Sequence, residues 1–460
     1  MNTLTEKGIF FIPAGEEFGL AENEALYMVY APLPGRSFLI KGSEKADIEA
    51  KLRQLSDATG AASDPLQAMF AEEKRQQWLR FNITPEDCLN LTILPNHRCN
   101  FNCTYCYSAG GRSAAELKAA QVVSLAAWAL KQCAQKKKPC RIVYLGGGEP
   151  LLSWEIVRES ILQIEACNSE YHVPLELSVS TNGSLLTADK IEFLRDHSVH
   201  VQVSFEVLED VQNAQRGHFR LVHANIQSAI AAGLIPGIHS VITEMNVERM
   251  EEVVRTAHEQ YPSLKKLGME PVVDAQLLAD ARTAEHFYQR FYAGYIKAEK
   301  LCREYGIELL TACSKALQTV RTHYCAGQIT LTPLGTFSSC EAISNPAESG
   351  YREAVFGRLN DNGEPEFDMQ SFRRYHPEKP GFERNECNSC WARWNCGGGC
   401  NHKRRTLSDE VFAEYCRLNR RLMEHFLADK LRREYALATQ GADLNAVVSN
   451  LFSQHKTCHE

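Results

Sequence analysis

The chain has 460 residues, 44% of them hydrophobic and 23% charged, enough to bury several cores and make two or three domains. Its formal net charge of -7 speaks against a nucleic-acid surface. No run approaches the ~20 apolar residues of a membrane helix, and Ile9 to Pro13 is too short to target a membrane. The chain starts Met1-Asn2-Thr3-Leu4, without a charged region and a long apolar stretch, so its 17 cysteines point away from a secreted disulfide framework. A reducing, cytoplasmic setting is expected, in which thiols remain free to bind metal.

Residues 1 to 88 read as a separate module. Tyr27 to Ala31 and Ser37 to Ile40 can pair as strands, and Lys45 to Leu55 and Pro65 to Trp78 read as helices. From residue 89 to 310 strands and helices alternate. Leu89 to Leu94 is an apolar strand. Ser113-Ala114-Ala115-Glu116 reads as a capping box for a helix through about Gln135, with Leu117, Ala120, Val123, Ala127 and Leu130 on its inner face. Strands follow at Arg141 to Leu145, Leu175 to Val179, Val199 to Ser204 and Ile235 to Thr243. Helices are expected at His223 to Ala232, closed by Gly233, and at Asn246 to Tyr261. Strand-then-helix repetition indicates parallel strands with crossovers. No low-complexity segment and no tandem repeat interrupts the pattern.

The chemistry sits at the ends of these strands. Cys99, Cys103 and Cys106 follow the first strand at the spacing CX3CX2C, which suits one cubic iron-sulfur cluster. Three thiolates on four irons leave one iron open to a small molecule. Structural zinc wants four closed ligands, commonly from CX2C pairs, and fits poorly. After the second strand comes Gly146-Gly147-Gly148-Glu149-Pro150, a turn whose glycines allow close backbone approach and whose carboxylate can accept from an ammonium group. Ser180-Thr181-Asn182-Gly183 ends the third strand. Ser204 ends the fourth, followed by Glu206 and Val207, with Arg216 further on.

Together these segments resemble the radical S-adenosylmethionine (SAM) superfamily, a likeness that includes the aromatic Tyr105 before the third cysteine. The resemblance implies a partial (β/α)6 TIM barrel over residues 89 to 310, with the active site at the carboxyl ends of the strands. It implies a 4Fe-4S cluster on Cys99, Cys103 and Cys106, and SAM held near Gly147, Gly148 and Glu149 through its amino group. Ser180 and Asn182 would meet its ribose, and Arg216, a planar fork suited to bidentate contact, its carboxylate. Ser204 is kept from the usual Ser-x-Asp-Gly pattern, whereas Glu206 and Val207 replace Asp and Gly.

A second cysteine field begins at Cys325. Cys340 follows, then Cys387, Cys390, Cys396 and Cys400 as CX2CX5CX3C, then Cys416. This order resembles the SPASM extension of peptide-modifying radical SAM enzymes, which implies two auxiliary 4Fe-4S clusters and therefore three clusters in all. By position Cys387, Cys390, Cys396 and Cys416 ligate one. Cys325, Cys340 and Cys400 ligate the other, with Thr319 where relatives often have a fourth cysteine. Either Cys313 completes that cluster or its iron is open. A zinc ribbon is the competing reading of the CX2C pair. The domains expected are thus 1 to 88, 89 to 310, a SPASM domain at 311 to 420 and a helical tail at 421 to 460.

In related maturases the N-terminal extension forms a winged-helix-like module that adds an edge strand to a precursor peptide; a packing role without ligand is the alternative. The basic residues Lys403, Arg404, Arg405, Arg417, Arg420 and Arg421 are read as a solvated face, with contact to an acidic peptide as the sharper option. Glu341, next to Cys340, takes the place of an aspartate that acts as base in sulfatase-maturing relatives. Three functions are open at this point. The first is a ribosomal-peptide maturase in which SAM is cleaved to a 5'-deoxyadenosyl radical that abstracts hydrogen, giving a crosslink or other oxidation. The others are a sulfatase-maturing formylglycine enzyme and a non-catalytic iron-sulfur electron carrier. A precursor peptide and an electron donor such as flavodoxin or ferredoxin are the expected partners, with no nucleic acid and no membrane.

Overall fold

The computed structural model describes residues 3–21, 25–56, 65–70, 83–325, 327–377 and 379–453. At the N-terminus a short helix α1 (Thr3–Glu6) leads to an antiparallel sheet, β1 (Phe10–Pro13), β2 (Leu26–Ala31) and β3 (Arg36–Lys41), in the order β1-β2-β3. Central β2 is buried over most of its length, as a strand paired on both edges and covered on both faces should be. Helix α2 (Lys45–Ser56) follows. The helix expected over Pro65 to Trp78 is only a 3-10 turn at Pro65–Met69 among the described residues, and its second half lies outside them.

Six parallel strands then alternate with helices. They are β4 (Asn90–Ile93), β5 (Cys140–Tyr144), β6 (Leu175–Thr181), β7 (His200–Ser204), β8 (Gly237–Ile242) and β9 (Lys266–Pro271). The crossovers are α3 (Ala119–Lys136), α4 (Trp154–Tyr171), α5 (Ala188–Asp196), α6 (Glu209–Gln215) with α7 (Phe219–Ala231), and α8 (Met250–Gln260). Helix α9 (Ala281–Glu304) leads to a seventh parallel strand, β10 (Glu308–Leu310), beyond the six expected. The strands neighbour one another in chain order, the partial barrel anticipated from the alternation. Alternate strand positions such as Leu91, Ile93, Ile142 and Tyr144 are nearly solvent-free and meet the helices. The Tyr144 hydroxyl is satisfied by Ser160 Oγ at 2.8 Å.

The sheet does not stop at β4. Strand β11 (Gln328–Leu331) pairs parallel with β4, and β12 (Thr336–Ser338), β13 (Val355–Leu359) and β14 (Pro365–Phe367) continue it antiparallel into one eleven-stranded sheet. The second cysteine field therefore hangs from the edge of the barrel by backbone hydrogen bonds. The tail expected from residue 421 is not separate. One helix runs from Asp409 to Ala438 through that boundary, started by Ser408 Oγ accepting from Val411 N and containing neither proline nor glycine.

The capping box at Ser113 is corrected. Helix α3 begins at Ala119, because Ser113 Oγ is engaged by His97 Nδ1 at 2.8 Å and Glu116 by Arg98 at 2.6 Å, whereas Gln121 accepts from the Lys118 amide at 2.8 Å. Its buried face is also turned. Leu117 and Leu130 are inside as expected, but Val122, Leu125, Ala126, Ala129 and Cys133 complete the face, with Ala120 exposed.

Candidate radical and cluster site

The loop from Leu94 to Arg112 carries Cys99, Cys103 and Cys106 across the carboxyl end of β4, all three partly accessible. Around the thiols stand donors. Phe101 N points at Cys99 Sγ (3.5 Å), Arg112 Nη2 at Cys106 Sγ (3.7 Å), and Asn182 Nδ2 lies 4.0 Å from Cys99 Sγ. The glycine turn presses on the same loop. A Cβ at Gly148 would collide with the carbonyl of Arg98, the residue before Cys99, so glycine is required there by the protein's own backbone. Gly147 has φ 69° and rests against the Asn96 carbonyl.

Glu149 is buried, and its carboxylate accepts from Thr181 Oγ1 (2.6 Å), Leu151 N (3.0 Å) and Asn182 N (2.7 Å). Burial raises its pKa against these donors. Asn182 ties the loops together by donating to Asn100 Oδ1 at 2.9 Å, while its own Oδ1 accepts from Ser184. Ser180 and Ser204 are half-buried at the ends of β6 and β7.

Tyr105, Glu206 and Arg216 form one cluster. Tyr105 donates to Glu206, Arg216 Nη1 donates to the Tyr105 oxygen at 2.9 Å, and Arg216 lies 3.8 Å from Glu206. Glu206 is fully buried and also accepts from Ser240 Oγ (2.7 Å) and Val241 N (2.9 Å). Burial raises its pKa, while Arg216 works against that rise. Arg216 Nε is buried and, among the described residues, has no hydrogen-bond partner, while the guanidinium lies within electrostatic reach of Cys103. An orphaned guanidinium donor beside the thiol triplet fits an anionic ligand such as a carboxylate bound at this cluster.

Several cysteines of the second field come together. Cys387, Cys390, Cys396 and Cys416 line one cavity of 600 Å³, together with Cys400 and Cys313. Three consecutive glycines with φ of 66°, 87° and 83° carry the chain from Cys396 to Cys400, and a Cβ at Gly398 would strike the Gly381 carbonyl. On the other side of Cys400 its thiol meets Cys325. Their hydrogen bond draws Cys400 down to about 6, and Cys340 lies close by beside Tyr375. Cys313 faces Glu270, Lys403 and Cys396. Among the described residues no three His, Cys, Asp or Glu side chains draw close enough to hold a single metal ion; the thiols surround voids instead.

Glu341 accepts at 2.6 Å from Nε2 of Gln328, the first residue of β11. Its charge is felt by Tyr107, the residue after Cys106, and by His402. Tyr107 is 50% exposed, reaches toward Gly146, and lies 6.5 Å from the His402 ring. The basic residues are not a free face: Arg404 pairs with Glu386 (2.9 Å), Arg417 with Glu414 (2.6 Å) and Arg421 with Glu16 (2.6 Å). Sequence reasoning missed His97, Arg112, Tyr107 and His402, since each is a single polar residue with no motif of its own.

Residues 93–259 match the model of the Radical SAM superfamily, so this part of the barrel carries a radical SAM domain. The 4Fe-4S cluster and SAM that this fold implies match the thiol triplet and the unpartnered Arg216 donor. Among curated proteins the chain is 30% identical over 175 residues to the GTP 3',8-cyclase of Rhizobium meliloti, covering 36% of this chain and 48% of that protein. It is 26% identical over 275 residues to the GTP 3',8-cyclase of Sinorhizobium medicae, covering 56% and 76%. The chain thus spans about half the length of the first of these relatives. Among solved structures, native anSMEcpe with bound AdoMet shares the fold, with a TM-score of 0.57 at 16% identity over 74% of this chain and 99% of that one. The second cysteine field lies outside the matched residues. No helix among the described residues is long and apolar enough to cross a membrane.

Proposed function

We propose that this enzyme modifies a ribosomally made precursor peptide, by crosslinking or another oxidation. The observation that carries the reading is the contact between the two cysteine fields: Asn345, just after Cys340 and Glu341, donates to the carbonyl of Gly111 on the Cys99–Cys106 loop at 3.0 Å, and the charge of Glu341 reaches Tyr107, the residue after Cys106. Bound at Cys99, Cys103 and Cys106, the cluster and SAM supply one-electron cleavage to a hydrogen-abstracting species. In this reading Arg216 Nε holds the SAM carboxylate, with Tyr105 and Glu206 fixing the guanidinium plane. The glycine turn sets the cluster loop against the strand ends. Glu341 takes the substrate proton released on oxidation. The groups Cys387/Cys390/Cys396/Cys416 and Cys325/Cys340/Cys400 would hold auxiliary clusters, whose chemistry would be one-electron transfer away from the substrate, and a flavodoxin or ferredoxin would be the external electron donor.

The curated relatives favour a second reading, a nucleotide substrate such as GTP. One assay separates the two. Reconstituted enzyme with SAM and dithionite is offered either the short peptides encoded beside its gene or GTP. A peptide losing hydrogen together with 5'-deoxyadenosine supports the proposal, and Glu341→Gln should then lower peptide turnover while leaving SAM cleavage intact. Conversion of GTP with unchanged peptides overturns it.

A further inference from the structure

We infer that Arg112 sets the reduction potential of the cluster on Cys99, Cys103 and Cys106, and that the loop Ser344 to Glu348 of the second cysteine domain holds it in place. Arg112 Nη2 points at Cys106 Sγ from 3.7 Å, and Nη1 donates to the Cys99 carbonyl at 3.4 Å. Its Nε is buried and unpartnered. Among the described residues no carboxylate lies within ion-pair distance of it, so its charge is spent on the thiol loop rather than neutralised by an acid. A cation donating to a ligating sulfur stabilises the more negative, reduced cluster and raises its potential.

The clasp comes from the other domain. Asn345 Nδ2 donates to the carbonyl of Gly111, the residue before Arg112, at 3.0 Å. The Glu348 carboxylate occupies the space that a Cβ at Gly111 would need, and is itself fixed by the amides of Ser344 (2.6 Å) and Asn345 (2.9 Å). Ser344 Oγ also meets His97 Nε2 at 3.0 Å, two residues before Cys99. One five-residue loop therefore grips the cluster loop on both sides of its cysteines. Arg112 is a positioning residue, and the grip couples the docking of the second domain to the ease with which the first cluster takes an electron.

The inference rests on cluster loading at this triplet, which the same samples check. Reconstituted full-length enzyme is poised against dithionite, and the part of the electron paramagnetic resonance spectrum that SAM perturbs is titrated, isolating the open-iron cluster from the others. Arg112→Gln should lower the ratio of reduced to oxidised cluster at a fixed potential about tenfold, equivalent to ~59 mV for one electron. Arg112→Lys, which keeps the charge but cannot span both acceptors, should shift it in the same direction by less. Asn345→Ala with Glu348→Ala should also lower it while Arg112 is intact. A SAM-perturbed signal with unchanged potential in Arg112→Gln overturns the inference and leaves the radical SAM reading standing. Absence of that signal in the unsubstituted enzyme sinks the reading itself. If Arg112→Gln fails to load, Arg112→Lys decides, and an unshifted potential there overturns the inference.

Discussion

At Glu206 one methylene changes what the residue does. The longer carboxylate reaches Tyr105 and Ser240 at once, closing a buried pocket of five groups with Arg216 and the Val241 amide. Its neighbour Val207 records the cost. It is 1% exposed and has φ 68°, the left-handed region that a β-branched side chain avoids at about 1–2 kcal/mol. Val207→Gly therefore loses ~1.5–3 kcal/mol of burial but recovers most of it by relieving that strain. Its denaturation midpoint should lie within about 1 kcal/mol of the unsubstituted chain. Val203→Gly, equally buried in extended β7, should cost about 3 kcal/mol or more, because it relieves nothing. Equal losses at the two sites would show that Val207 is unstrained. The thiol triplet could be singled out from its spacing, and the glycine turn and Arg216 only through the family resemblance that the triplet brings with it. Arg112 and Tyr107 were not, since their meaning arises only when loops distant in sequence are packed together.

Among elements, the strands were read more accurately than helix α3. The strands' apolar runs, bounded by polar turns, admit one reading, whereas the doublets Val122-Val123 and Ala126-Ala127 make both faces of α3 apolar, and the tie was broken by Leu125 and Cys133 packing inward. Also invisible to any local pattern was the joint between α9, the helix Asp409–Ala438 and the N-terminal module. There His425 lies between Glu17 (3.1 Å) and Glu299 (2.7 Å), with Tyr292 on Glu17 (2.6 Å) and Arg303 bridging Glu299 and Asp429. Arg432 and Arg421 face Glu17 and Glu16, and Glu424, raised to about 7 by burial, flanks the joint. Burial alone would lower His425, but hydrogen bonds and charge from Glu17 and Glu299 outweigh it and raise the imidazole from 6.5 to about 9. A raised folded-state value means stability that is complete below pH ~6.5 and lost as pH climbs through about 9, of order 3 kcal/mol. The two carboxylates, held below 4.5, lose their share only in acid. His425→Gln should flatten the fall in melting temperature between pH 6.5 and 9. A slope unchanged in the variant would remove His425 as its source.

On the scale of the whole molecule, the N-terminal module, the barrel and the second cysteine field are joined too tightly for the proposed peptide recognition to be tested by cutting. Tyr30 of β2 donates to the buried Asn395, next to Cys396, at 3.0 Å, and Arg393 Nη2 donates to the Thr5 carbonyl at 2.8 Å. Removing the first 88 residues would therefore disturb the second cysteine field as well as any peptide site. The open edge of β3 offers a cleaner test of leader binding. It pairs with β2 on one side and, among the described residues, with no strand on the other. Such an edge presents a row of backbone donors and acceptors to an extended peptide. Successive amides in a strand point to opposite edges, so of Phe38→Pro and Leu39→Pro one deletes an outward donor and the other a bond to β2. The expected result is unequal. Phe38 and Leu39 both pack against core residues, so each proline is read against alanine at the same position; relative to that alanine the outward proline should weaken binding of a labelled precursor peptide about tenfold, equivalent to ~1.4 kcal/mol, with the melting temperature nearly unchanged. The inward one should destabilise the module itself. If the well-folded variant binds the peptide as tightly as the unsubstituted enzyme, β3 is not the leader's partner, and the N-terminal sheet serves to brace Asn395 and the cysteines beside it.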